Sequence, residues 1–120
     1  MTQITEEELE RAFHLMWENY PEPVRLIHRS FRVVAGNAAY LRTGGETGVQ
    51  CNVGDPSFHR GCQAMNCLKL REARMVSTKV EGVPWTSYWI PVADTEDYFI
   101  HFTDGINATI AKKLAEAQEN

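Results

Sequence analysis

Four side chains in the middle of the chain carry its soft-metal and redox chemistry: Cys51, His59, Cys62 and Cys67. One imidazole and three thiolates suit zinc or an iron–sulfur cluster in ligand type. Their spacing is less apt. On a helix, the five-residue step from Cys62 to Cys67 rotates one thiol from the other by about 140°, at 3.6 residues per turn. The two make a metal clamp only if Cys62 lies in the loop before the helix. The pattern matches neither the paired cysteines of zinc fingers nor the Cys-x-x-Cys-His of covalent haem. A haem held without a covalent link needs an axial histidine near that helix, and His59 is the candidate. The same cysteines have two other readings: a redox-reactive thiol pair, or small buried hydrophobes. Three is an odd number, which argues against a disulfide framework.

A second group is aromatic. Trp85, Tyr88, Trp89, Tyr98, Phe99 and Phe102 load two adjacent segments. Alternation along a strand puts Trp85, Ser87 and Trp89 on one face and Thr86, Tyr88 and Ile90 on the other. One of these faces is expected to line a pocket for a flat or small organic ligand; a filled core without a ligand is the alternative. Asn37 reads as a helix cap before it reads as a ligand contact. Catalytic patterns are missing. There is no Ser-His-Asp array and no pair of carboxylates set for acid–base work. Gly44-Gly45-Glu46-Thr47-Gly48 lacks the Gly-Lys-Ser/Thr ending of a phosphate loop. A non-enzyme is expected.

The elements that must position these residues belong to one domain of 120 residues, 43% apolar and 23% charged. At this size a chain buries roughly two-thirds of its unfolded surface, so it folds without a metal or disulfide. A net charge of −4 argues against a nucleic-acid platform, where a basic face is expected. Apolar runs of three or four residues are far short of the ~20 needed to span a membrane. The acidic start, Met1 to Glu8, is unlike a secretory leader, so the cytoplasm is the default location.

Thr5-Glu6-Glu7-Glu8 forms a capping box, and Leu9, Phe13, Met16 and Tyr20 then trace one apolar helical stripe. Pro21 and Pro23 end it. Val24–Arg29 and Phe31–Ala35 predict a hairpin turning at Arg29-Ser30, with a short helix starting near Asn37. Residues 42–60 predict loops and helical turns, and 59–72 a helix. Three strands follow, over 73–81, 85–92 and 98–102, with turns at Gly82-Val83-Pro84 and Asp94–Asp97; short connections make them an antiparallel meander. The last segment, 106–120, is helical. Its narrow stripe of Ile106, Ile110, Leu114 and Ala117 fits a two-helix seam.

In that order of elements the chain resembles the PAS sensor domain family. Phe31-Arg32-Val33-Val34-Ala35-Gly36-Asn37-Ala38-Ala39-Tyr40 is similar to the family's second strand running into an Asn-x-Ala helix start. Tyr98-Phe99-Ile100-His101-Phe102-Thr103-Asp104 is similar to its last strand, which ends in an Asp often followed by Ile-Thr; here Gly105 intervenes. The cysteines resemble a subgroup with one mid-loop Cys and a Cys-x-x-Cys pair, except that four residues separate Cys62 from Cys67. The likeness runs from residue 5 to about 119.

The resemblance implies an α+β fold: a five-stranded antiparallel sheet in the order 2-1-5-4-3, helices on one face forming a pocket, and flanking helices at both ends. It divides the chain into an N-terminal flanking helix (1–22), a PAS core (23–105) and an exit helix (106–120). It places His28 and His101 on neighbouring strands, where such a pair could titrate or ligate. The expected pocket is Trp85, Trp89, Asn37, His28 and His101. The expected function is a sensory and dimerising module in a histidine kinase, a cyclic-dinucleotide enzyme or a transcriptional regulator. It would bind a small ligand and homodimerise through the flanking helices. Signals would pass through Ile106, Ile110 and Leu114 to an effector C-terminal to a chain that breaks off while still helical. A thiol-based redox or metal sensor using Cys51, Cys62 and Cys67 is the alternative. The Asn-Cys-Arg-Phe-Leu-Gln run of the flavin photosensors is absent, so flavin is not expected.

Overall fold

The computed structural model describes residues 4–51 and 61–119. The capping box forms: Thr5 Oγ1 accepts the backbone N–H of Glu8 and opens helix α1, Glu6–Trp17. The stripe differs from expectation at one position. Leu9 and Phe13 are buried, Met16 is 72% exposed, and Trp17 packs on the core in its place. Trp17, four residues after Phe13, thus takes the covered side and Met16 the exposed one.

The hairpin pairs β1 (Val24–His28) with β2 (Val33–Gly36). Its turn is wider than Arg29-Ser30. Phe31 has a positive φ of 70° and donates its N–H to His28 O, so β2 begins at Val33 rather than Phe31. Asn37 caps α2 (Ala38–Arg42) through its side-chain oxygen. Helix α3 runs over Ala64–Leu70, shorter than expected. Gly61 has a φ of 76°, which keeps the chain out of the helix there, and Arg71 ends the helix in the left-handed conformation. Cys62 therefore lies in the loop before α3.

The meander is β3 (Arg74–Val80), β4 (Val83–Pro91) and β5 (Tyr98–Asp104). The β3–β4 turn is Glu81-Gly82, both with positive φ, as a two-residue hairpin loop requires; Val83 and Pro84 belong to the strand. Asp104 ends β5 and α4 spans Ile106–Glu119. The sheet order is β2-β1-β5-β4-β3, as the resemblance implies.

Both faces of the sheet are covered. The outer face buries Val24, Leu26, Ile100 and Phe102 under Leu9 and Phe13 of α1. The inner face packs Ile27, Trp89 and Phe99 against Ala64, Cys67 and Leu68 of α3. The two alternating sets of β4 are split accordingly, with Trp89 inside and Tyr88 and Ile90 outside.

Where α1, β1, α2 and α4 meet, the interior is polar. The fully buried Asn37 Oδ1 accepts from Val24 N and Tyr40 N, and its Nδ2 lies within 3.2 Å of the carbonyls of Trp17, Tyr20 and Glu22. All of its hydrogen-bonding capacity is thus spent on backbone, which removes Asn37 from the expected pocket. Asn37→Ala strands these groups in a site closed to water and costs about 3 kcal/mol. A urea titration reads this as a lower midpoint at unchanged slope. A loss under about 1 kcal/mol contradicts the assignment.

Candidate functional site: the sheet interior and the exit-helix junction

Cross-strand register sets one row across the inner face. Gly36 of β2 opposes Arg25 of β1, Arg25 opposes His101 of β5, and His101 opposes Trp89 of β4. The Trp89 and His101 rings stack with centroids 4.6 Å apart and planes 13° apart. His101 Nδ1 lies 2.8 Å from the carbonyl oxygen of Tyr88, which can only accept, so Nδ1 carries the proton. Burial pushes the His101 pKa down to about 4, and the nearby positive charge of Arg25 adds to the effect. The imidazole is neutral at physiological pH. In the next row on this face Ser87 Oγ and Thr103 Oγ1 are 2.7 Å apart.

His28 does not join them. Val24, Leu26 and His28 point to the outer face, so the two histidines are on opposite sides of the sheet. His28 packs edge-on against Tyr98 and bonds Ser30. Of the expected pocket, only Trp89 and His101 meet. Trp85 faces the exit helix, where its Nε1 donates to Thr109 Oγ1 at 2.8 Å.

The cysteines occupy three environments. Cys67 is buried among Ile27, Leu68 and Phe99, and burial raises its thiol pKa to about 11. Cys51 is partly buried against the same cluster and burial raises it also. Both are poor sources of thiolate at neutral pH. Cys62 is exposed, and His59 lies outside the described residues. Among the described residues no three His, Cys, Asp or Glu side chains are grouped to hold a metal.

The junction with α4 carries residues that the sequence reading missed. Gly105 takes the N-cap position with a φ of 120°, and a Cβ there would collide with Pro84 O and Trp85. This close approach explains the glycine after Asp104. Having no side chain, Gly105 cannot cap the helix, and Glu22 does so from a distance in sequence. Its buried carboxylate accepts from Asn107 N at 2.8 Å and Ile106 N at 3.1 Å. Asn107 Nδ2 donates to Pro21 O, and Tyr20 Oη donates to Asp104 Oδ1 at 2.7 Å. Burial and that bond push the Tyr20 pKa up to about 12. Lys112 donates to Glu81 O, and Lys113 pairs with Glu81 at 3.2 Å. Within the stripe Ile106 is partly buried, while Ile110 and Leu114 are 47% and 61% exposed. The buried side of α4 is marked by Thr109, off the stripe.

An open cleft of about 800 Å³ lies between α3, the β1–β2 turn and the β4–β5 loop, lined by Arg29, Lys69 and Arg71 and by Asp94 and Glu96. No sequence pattern marked it, because its residues come from three separated segments.

No family model matches the sequence, and no curated protein sequence matches it. Solved structures do. The chain is similar to the PAS domain of Bordetella pertussis BvgS, at 22% identity and a TM-score of 0.61, over 94% of this chain and 98% of that one. It is also similar to a domain of an HTR-like protein from Haloarcula marismortui, at 17% identity and a TM-score of 0.54, over 72% of this chain and 98% of that one. With the strand order and helix placement above, the fold of this chain is the PAS fold.

The depressed His101 pKa has a definite sign for stability. The unfolded chain protonates this ring near 6.5 and the folded chain near 4, so protons favour unfolding between those values. The contribution of the neutral ring is complete above pH 6.5 and is lost as pH falls to 4. The urea midpoint of the wild type should therefore fall more steeply over this range than that of His101→Gln. Parallel declines contradict the assignment.

Proposed function

We propose that this chain is the sensory and self-associating module of a signalling protein and has no catalytic role. In this reading a small molecule binds the inner face of the sheet, and α4 passes the resulting strain to an effector. That effector is a histidine kinase, a cyclic-dinucleotide enzyme or a transcriptional regulator. Residues 1–22 flank, 23–105 sense and 106–120 transmit.

One observation carries the reading. The first turn of α4 is fastened to the inside of the fold by Glu22 and by the Trp85–Thr109 bond, while Ile110 and Leu114 further along remain exposed. A helix with its start fixed in the core and an apolar stripe open to a partner converts a change inside into a change of helix geometry outside. No helix among the described residues is long and apolar enough to cross a membrane.

A charge on the exposed stripe should weaken self-association. We expect Leu114→Glu to dimerise at least about tenfold more weakly, or ~1.4 kcal/mol, with an unchanged melting curve. Light scattering across a dilution series makes the measurement. An equally tight dimer in the variant, or a wild type monomeric throughout, contradicts the proposed role of α4.

A further inference from the structure

We propose that the inner-face site recognises a short-chain organic carboxylate, held by the Arg25 guanidinium and by the Ser87–Thr103 hydroxyl pair. This rests on the reading above that the inner face takes a small molecule.

Arg25 is the starting observation. It sits on a central strand, half-buried, in the row that crosses to His101 and Trp89. Among the described residues the ion pairs use His14, Arg29, Arg32 and Lys113, and Arg25 takes part in none. Its partner is the Tyr40 ring, with Cζ 5.9 Å from the centroid. A cation–π contact engages the charge, and among the described residues no hydrogen bond uses the planar fork of N–H donors. A partly desolvated guanidinium with a free fork matches the two oxygens of a carboxylate.

The seat of Arg25 is built in advance. The Tyr40 ring lies so close over Gly36 and Gly45 that a Cβ at either would overlap it. Its hydroxyl donates to Glu46 O and accepts from Glu46 N. The ring therefore cannot swing away, and the guanidinium above it is held facing the same inner surface as His101. The Arg25 charge is already felt there: it adds to the lowering of the His101 pKa and opposes part of the burial-driven rise at Cys51.

The rest of the row sets the ligand class. His101 is neutral, and with its proton on Nδ1 its other ring nitrogen, Nε2, is an acceptor that a hydroxyl beside the carboxylate would satisfy. One hydroxyl hydrogen joins Ser87 to Thr103, and the other is free to donate to an anion. Thr103 is the next inward residue after His101, diagonal to Arg25 across β1 and β5, so a carboxylate between them can meet both groups. Trp89 is 5% exposed and gives the ligand little surface to stack on. The groups of this row that face a ligand are therefore polar, suited to a 2-hydroxy or 2-oxo acid of a few carbons rather than to a flat cofactor.

The test is calorimetric titration of the wild-type chain and of Arg25→Gln and Arg25→Lys at fixed ionic strength. The probes are sodium lactate, pyruvate, lactamide and inorganic phosphate, with the His101 ring resonances followed by NMR to locate binding. We expect a saturable carboxylate that shifts His101 and binds Arg25→Gln at least tenfold more weakly, with Arg25→Lys between them. Equal binding to wild type and Arg25→Gln, or lactamide binding as well as lactate, overturns the carboxylate proposal and leaves the small-molecule site standing. Phosphate binding through Arg25 while carboxylates do not bind overturns the choice of ligand class. No saturable binding by any probe, with His101 unshifted, overturns this proposal and counts against the inner-face site on which it rests.

Discussion

Glu22 is a carboxylate held out of water, and the α4 junction is organised around what it accepts. A buried charge is tolerated where strong hydrogen bonds replace its hydration. Here the donors are the first two backbone N–H groups of α4, at the positive end of that helix. The carbonyl of the same residue accepts from Asn37, which also holds the last turn of α1 and the first residue of β1. One short segment, residues 20–22, thus sets where α1 ends, how β1 enters the sheet and where α4 begins. Gly105 completes the arrangement: its missing side chain lets the chain pass Trp85 and leaves the helix cap to Glu22.

The sheet separates two kinds of interior. The outer face is filled with apolar and aromatic side chains beneath α1, and Trp17, Tyr20, Tyr88 and Phe102 pack ring against ring. The inner face is apolar only under α3. Further along, the inward positions of β1, β5 and β4 hold Arg25, His101, Thr103 and Ser87. That polar, half-buried row is the one assigned above to the proposed ligand.

Much of the fold was legible because it rests on local rules. The capping box, the Asn37 cap, the β-branched and aromatic strands and the short meander turns are each written in adjacent residues. The failures have physical causes. Met16 and Trp17 are both apolar and both lie about one turn after Phe13, so spacing alone does not decide which is covered. The glycine and the left-handed Arg71 that bound α3 shorten it despite good helix-forming composition. For the site, alternation correctly separated Trp89 from Tyr88 but could not tell which face α1 would cover. The pairing of His28 with His101 failed because neighbouring strands share a row only when the register agrees in parity. Glu22 was missed because its partners lie more than eighty residues away. Arg25 did leave a signal: it is the charged residue at an inward position of an otherwise apolar strand, Val-Arg-Leu-Ile.

The central claim is that α4 is tied to the core through Glu22, locally and separably from the sheet. Backbone amide exchange in Glu22→Gln tests it most directly. The account predicts that Ile106 and Asn107 lose protection by tenfold or more while β1 and β5 keep theirs. Unchanged protection at Ile106 and Asn107, or an equal loss across the whole sheet, would contradict it.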